Sequence, residues 1–429
     1  MKIGRRRFVV NGAFGTLGLF TASAFGGCAV SAGGPGQTLD KGDTAPGSGE
    51  LFPRSVAGSD TAFPYLEVSG TPREIGRGIG RMFGDKIRMG LERRADWFGD
   101  LKAFAVGEGK PAYDVFVAAA MKHTPRAFNE LQGWAQGAEI PFETMMVLNL
   151  KAEFGAMIAK KEMEAAAGAG EGNPGCSTVV FARDGQVIHL HNEDGHEVYK
   201  DLMFMIKAVP DDGIPYTCLS YPGILPGNAP AVNARGLVQT TNYIACKEVR
   251  LGVGRYFLDR MILEASSIDE ALAWSTHPDR AFGYHHVFTS FPEKRSVAVE
   301  VSPGKKEVKE INGLYYHTNH LVFDDMRDED QDDKYVSSSS TSRWEVISHW
   351  AKELKNTDSL TLEDLRVPLS SHDGKPYSPC RHPAGDVKGF TLAQAVFEVP
   401  KETFTIIKGQ PCKGPGETYT VPSCMPRPE

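Results

Sequence analysis

One cysteine in this chain stands where a turn gives way to a strand, and its setting is that of a nucleophile. The stretch Gly172-Asn173-Pro174-Gly175-Cys176-Ser177-Thr178-Val179-Val180-Phe181 runs from a Gly/Pro-rich turn into a β-branched and aromatic segment. Cutting the peptide bond before Cys176 would leave a thiol and a free α-amino group on one residue, so nucleophile and general base would share a single Cα. An α-amine has an ordinary pKa of about 7.7–8.0, so part of it is neutral at physiological pH and can take the thiol proton. Gly175 leaves the scissile carbonyl unshielded, which suits self-cleavage by an N-to-S acyl shift. A lone free cysteine is more often a small buried hydrophobe, so the surrounding elements must supply the rest of the case.

Those elements change character at Cys176. Before it the chain is mostly helical. A short strand at 65–70 leads to Thr71-Pro72-Arg73-Glu74, an N-cap followed by Pro at the first helical position and Glu at the third. The helix it opens carries Ile75, Ile79, Met82, Phe83 and Ile87 at the spacing of a buried stripe. Gly76, Gly80 and Gly84 recur every fourth residue and allow close approach of a neighbour. Further helices are expected over 88–106, 113–122, 125–137 and 144–154, and residues 161–172 are a low-complexity linker to the cut site. After Cys176 apolar residues alternate with period two, predicting strands over 179–181, 187–191, 202–207, 216–220, 231–232 and 237–243, with Arg183-Asp184-Gly185 as the first hairpin turn. Helical spacing returns over 256–266 and 267–275. Strands follow at 286–290, 296–301 and 314–317, then helices at 342–354 and 360–366, and last strands at 390–399 and 403–408. Such runs predict a sheet-on-sheet core with helices outside.

Composition narrows the function classes. Lys and Arg number 47 against 54 Asp and Glu, a net charge of −7, which offers no field for nucleic acid. The first residues are expected to be an address rather than part of the fold. Arg5-Arg6-Arg7-Phe8-Val9-Val10 has the form of a twin-arginine export signal, and the apolar stretch 9–25 is Gly-rich and short for a bilayer span. Ala24-Phe25-Gly26-Gly27-Cys28 ends it like a lipoprotein cleavage site, making Cys28 the lipidation candidate; ordinary signal cleavage near Ala29, giving a soluble product, is the alternative. Residues 1–28 are thus read as the export signal and 29–60, rich in Gly, Ser, Pro and Thr, as a flexible tether. Residues 61–429 form the catalytic domain. Of seven cysteines, Cys412 and Cys424 bracket a Pro/Gly-rich loop and are the expected pair. The acidic run 324–333 is expected to be a solvated loop, lacking the glycine and terminal glutamate of an EF-hand. No Cys-x-x-Cys or His-Glu-x-x-His spacing occurs, and His317 with His320 lacks a third ligand, so neither a metal nor a cofactor is expected.

Several stretches together resemble the acyl-coenzyme A:6-aminopenicillanic acid acyltransferase family of self-processing N-terminal nucleophile enzymes. They are Gly70-Thr71-Pro72-Arg73-Glu74-Ile75-Gly76, Leu131-Gln132-Gly133-Trp134, Leu148-Asn149-Leu150-Lys151-Ala152-Glu153, Gly175-Cys176-Ser177-Thr178, His191-Asn192-Glu193-Asp194, Asn233-Ala234-Arg235-Gly236-Leu237 and His317-Thr318-Asn319-His320. The resemblance implies an α+β fold, a four-layer αββα sandwich. It also implies that Asp194, eighteen positions after Cys176, orients the new α-amine. Asn319 is the candidate oxyanion donor, because a tetrahedral intermediate needs a fixed donor aimed at its developing charge. Asn192, Asn242 and Lys388 are the candidate substrate contacts. Where penicillin acyltransferases of the family carry a Ser-Arg pair, this chain has Val387-Lys388, which replaces a bidentate guanidinium with a point charge and argues against a β-lactam or acyl-coenzyme A substrate.

The reading that follows is an exported amidohydrolase, cut between Gly175 and Cys176 into segments that stay associated. Its substrate is a small linear amide, and it meets the membrane only through a lipid anchor. An acyltransferase passing the acyl group to an amine and a non-catalytic envelope lipoprotein are the alternatives.

Overall fold

The first helix is built as its opening residues require. In the computed structural model, which describes residues 62–165, 175–246, 248–330 and 337–420, strand β1 (Tyr65–Gly70) ends at Thr71 and helix α1 (Pro72–Arg93) begins. The Thr71 amide donates to the Glu74 carboxylate at 2.9 Å, and Glu74 N donates back to Thr71 Oγ1. Two orphan donors are satisfied at once. Ile75, Ile79, Phe83 and Ile87 are buried, whereas Met82, expected on the same stripe, is 37% exposed. The glycines lie against α4 (Pro125–Ala138), where Gly133 and Gly137 answer them. A Cβ added at Gly76 would lie 2.0 Å from the Glu130 carbonyl oxygen, and one at Gly133 would lie 2.1 Å from that of Arg73. The two helices therefore touch backbone to backbone.

Two expected helices are each divided in two. The stretch 88–106 is not continuous: α1 stops at Arg93 and α2 (Ala95–Val106) starts afresh. The stretch 144–154 divides into α5 (Phe142–Leu148) and α6 (Lys151–Ala165). Asn149 makes that break. Its Nδ2 donates to the carbonyls of Met145 and Gly223, and its Oδ1 accepts from Leu225 N, so the side chain ties the break to a distant loop. Helix α6 also carries Ala165, inside the stretch expected to be a linker. Helix α3 (Lys110–His123) lies between α2 and α4.

Two sheets follow. The first has eight strands in the order β1-β4-β5-β6-β7-β8-β9-β10. Its members are β4 (Phe204–Pro210), β5 (Tyr216–Ser220), β6 (Ala231–Asn233), β7 (Leu237–Tyr243), β8 (Tyr284–Ser290), β9 (Arg295–Val301) and β10 (Lys306–Glu310). The second has six, ordered β11-β2-β3-β12-β13-β14: β2 (Ser177–Arg183), β3 (Gln186–His196), β11 (Gly313–His317), β12 (Gly389–Glu398), β13 (Thr403–Lys408) and β14 (Glu417–Thr420). The edge strands β10 and β14 are not among the expected ones. β10 is charged on most positions and β14 is four residues long, so neither shows an apolar alternation. Helices α7 (Arg255–Ile262), α8 (Ile268–Ser275), α9 (Asp324–Asp330), α10 (Ser338–Glu353) and α11 (Leu362–Ser370) complete the described elements. α9 corrects the expectation of a solvated acidic loop over 324–330, while 331–333 lie outside the described residues, as do the export signal, Cys28, the tether and Cys424. No described helix is long and apolar enough to cross a membrane.

Period-two alternation gives β2 and β3 two different faces. Val179, Phe181, Ile188 and Leu190 pack with Ile347 of α10 and Leu365 and Leu369 of α11. From the other face His189 reaches Thr240 of β7 and Thr289 of β8, so this side meets the first sheet. The chain is of the α+β class, with two sheets and helices packed on them.

The backbone contact between α1 and α4 predicts that Gly133→Ala destabilises the protein by about 1–3 kcal/mol through overpacking. Gly99→Ala, exposed in α2 with no atom near its Cβ position, is expected to stabilise by about 0.5–1 kcal/mol. Urea unfolding of the two variants measures both, and equal effects would contradict the packing.

Candidate active site

Strand register brings the two ends of the site together. Asp184 and Gly185, both at positive φ, close the β2–β3 hairpin in two residues. Ser177 then pairs with Asn192, and Asp194, inside β3 rather than beyond a strand end, comes level with the start of β2. The Cys176 sulfur lies 4.0 Å from the Asp194 main-chain oxygen. Asp194 Oδ1 accepts from Thr391 Oγ1 at 2.7 Å, and Oδ2 is buried without a partner among the described residues. Burial raises the Asp194 carboxyl above its ordinary pKa, against the pull of Arg381, Arg343 and the Thr391 hydroxyl.

Arg343 of α10 fixes the peptide around Cys176. Its Nη1 donates to the Cys176 carbonyl at 2.5 Å and to Ser177 Oγ at 2.9 Å, and its Nη2 donates to Asn319 Oδ1 at 2.8 Å. Asn319 follows β11, with its own amide N held by Ser340 Oγ and its Nδ2 donating to the Tyr243 carbonyl at 2.9 Å. Its partners determine which way its amide points, because a guanidinium only donates and a carbonyl only accepts. Gly175 is wedged against this pair. A Cβ there would lie 2.1 Å from Asn319 Oδ1 and 3.0 Å from Arg343 Nη2. Only glycine fits beside that amide.

The thiol itself faces the first sheet. Cys176 Sγ, His191 and Glu193 have side-chain atoms within 4.8 Å of one another. Tyr221 donates to Glu193 Oε1 at 2.7 Å, and His191 lies between Glu193 and the Thr178 hydroxyl. Burial, then Glu193 and Asp194, push the Cys176 thiol well above its ordinary pKa, which holds it protonated. Asn242 closes this side: Thr178 donates to its Oδ1 at 2.9 Å, and its Nδ2 is buried without a partner among the described residues.

Two sequence candidates are engaged elsewhere. Asn192 alternates to the helix-covered face, where its Nδ2 donates to the carbonyls of Leu369 and Pro379 and its Oδ1 accepts from Gln394. Lys388 is exposed, with its Nζ 3.6 Å from Glu197. Arg343, Thr391, Tyr221 and Lys151 were not singled out from sequence; each comes from a different element, and no local spacing links them. Lys151 sits with its Nζ 5.5–6.0 Å from the ring centroids of Tyr199, Tyr221 and Tyr256. Burial, Arg255 and Arg94 push its pKa down to about 8.

The model of the family described as acyl-coenzyme A:6-aminopenicillanic acid acyl-transferase matches residues 180–413, and the chain belongs to that family of enzymes. It is 25% identical over 390 residues to a beta-alanyl-dopamine/carcinine hydrolase of Drosophila melanogaster, an alignment covering 85% of this chain and 96% of the relative. It is 23% identical over 362 residues to the acyl-coenzyme A:6-aminopenicillanic-acid-acyltransferase 40 kDa form of Emericella nidulans, covering 83% of this chain and 95% of that one.

The depressed Lys151 pKa makes a pH prediction. Between its folded value of about 8 and the unfolded value of about 10.4 the unfolded chain binds more protons, so stability attributable to this group rises with pH. The penalty is complete below the folded value and gone above the unfolded one. Denaturant unfolding of wild type and Lys151→Met across that window should show wild type gaining stability relative to the variant as pH rises. A constant difference would rule out a depressed Lys151 pKa in the folded chain.

Proposed function

We propose that this chain is a self-processing amidohydrolase of the N-terminal nucleophile kind, with the αββα layering of that class, exported and tethered by its N-terminal segment. The observation that carries the reading is the clamp at the cut site. Gly175 lies under Asn319 and Arg343, Cys176 is anchored through its carbonyl, and the buried Asp194 Oδ2 beside it has no partner among the described residues.

In self-cleavage, Cys176 Sγ attacks the Gly175 carbonyl carbon, the carbon–nitrogen bond breaks, and the thiol proton passes to the departing amine. Water hydrolyses the resulting thioester, leaving a Gly175 carboxylate and Cys176 as a new chain end. Its ammonium supplies the cation that Asp194 Oδ2 lacks in the uncut chain. In turnover the neutral amine takes the thiol proton, the thiolate adds to the substrate carbonyl, and Asn319 Nδ2 donates its second hydrogen to the oxyanion. The protonated amine then delivers a proton to the leaving nitrogen, and water releases the acyl group.

A linear amide of an amino acid with an amine fits best. One relative is named a beta-alanyl-dopamine/carcinine hydrolase, and Glu193, on the thiol side of the site, offers a carboxylate for a substrate ammonium. Lys388, exposed and paired with Glu197, remains a candidate contact only at the rim. Acyl transfer is the second reading, supported by the relative named as an acyltransferase.

Two chains are expected from mature protein, the second beginning at Cys176; intact mass and N-terminal sequencing decide this. Cys176→Ala should stay uncut and release no product from β-alanyl amines, N-acyl amino acids or penicillins. Asn319→Ala is expected to lower kcat by about 10²–10³-fold with little change in KM, and Gly175→Ala to block cutting. An uncut wild type with a Cys176-independent activity would end this reading.

A further inference from the structure

Four metal-binding side chains converge on the side of the second sheet away from the thiol. His372 follows α11, Cys380 and His382 lie in the loop after it, and Cys412 lies in a single turn after β13. One ligand atom from each lies within 4.8 Å of all the others. Cys380 Sγ is 3.7 Å from His382 Nε2, and Cys412 Sγ is 3.5 Å from the same nitrogen. Zinc bonds of about 2.3 Å to sulfur and about 2.0–2.1 Å to nitrogen give a tetrahedron whose sulfur–nitrogen edges are about 3.6 Å. The two observed sulfur–nitrogen separations match such edges. The imidazoles of His372 and His382 stand nearly perpendicular, at 80°, with centroids 4.9 Å apart, which lets both direct a ring nitrogen at one point.

We propose that His372, Cys380, His382 and Cys412 bind a structural zinc ion. Two thiolates and two imidazoles in tetrahedral array form a closed site with all four positions filled by protein, and soft sulfur ligands select zinc over magnesium or calcium. Two thiolates also balance the charge of the ion, so Lys375 and Lys413 close by face no surplus cation. The loop is shaped for it. Cys380 N donates to Ser371 O at 3.0 Å, folding the chain back so that His372 and Cys380 share one side, and Ser378 Oγ donates to the Cys380 carbonyl.

The expectation of no metal rested on local spacing, which this set lacks, since its ligands come from two separate segments. The site would act on the active centre by position alone. Arg381, between two ligands, donates its main-chain N to Thr391 Oγ1, and Thr391 donates to Asp194. Cys412, expected to pair with Cys424, lies beside Cys380 and His382, and Cys424 lies outside the described residues.

The test is the metal content of the full chain, produced with zinc and purified without chelator. About one zinc per chain is expected, released when a mercurial blocks thiols, and cobalt replacing it should show thiolate-to-metal charge transfer with the visible bands of tetrahedral coordination. Cys412→Ser, at an exposed position, and His382→Ala should each lower zinc affinity about tenfold or more. Wild-type protein without zinc and with both thiols free overturns the proposal. So does a Cys380–Cys412 disulfide in the unreduced peptide map, or cobalt that gives no thiolate band. Wild-type metal content and spectrum decide the question even should a variant fail to fold, and neither depends on whether the chain cuts itself.

Discussion

The peptide around Cys176 is held by one guanidinium. Arg343 joins the Cys176 carbonyl, the Ser177 hydroxyl and the Asn319 amide, so two separate segments share its fork of donors. A lysine could not do this, because a point charge on a flexible stem has no fixed fork. Burial and the neighbouring Arg381 push the Arg343 pKa down to about 9, against the pull of Asp194. The arrangement explains why a glycine must precede the cysteine: Asn319 is drawn so close to the backbone that no side chain fits there.

Polar groups fill much of the space between the sheets. His189 bridges to two threonines of the opposite sheet, His317 meets Glu300 at 2.9 Å, and His285 reaches Asn242 and Tyr315. Such groups are tolerable inside only when paired, since an unpaired buried donor or acceptor costs about 1–3 kcal/mol. Burial drives His189 and His285 well below their ordinary pKa, so both are neutral. Among the buried side-chain atoms without a partner in the described residues, Asp194 Oδ2 and Asn242 Nδ2 lie on residues that adjoin the strand following Cys176. Buried atoms without partners are where a protein keeps capacity for something else to bind.

The helical side carries its own buried ions. Arg260 of α7 donates to Glu130 of α4 at 2.7 Å, with both side chains fully buried, while Tyr216 also reaches Glu130. Removing one partner of such a pair leaves an uncompensated charge. This network lies by the α1–α4 contact that glycine makes possible, so the helices that support the first sheet are fixed both by close backbones and by charge.

Sequence by itself determined what depends on neighbours along the chain. The capping box at Thr71, the glycine ladder of α1, the alternation of β2 and β3 and the turn at Asp184-Gly185 all follow from spacing, and they sufficed to pick out Cys176, Asp194 and Asn319 as residues to be brought together. The same local rules carried two helices through breaks at Arg94 and Asn149; at Asn149 the hydrogen bonds that end α5 run to Gly223 and Leu225, far along the chain. Only the tertiary structure decided that Arg343 and Thr391 belong to the site, that Asn192 is spent on the loops of the opposite face, and that two histidines and two cysteines meet after α11. Those facts depend on which faces of two sheets and two helices are pressed together, and burial is a property of the packed whole that no single segment encodes.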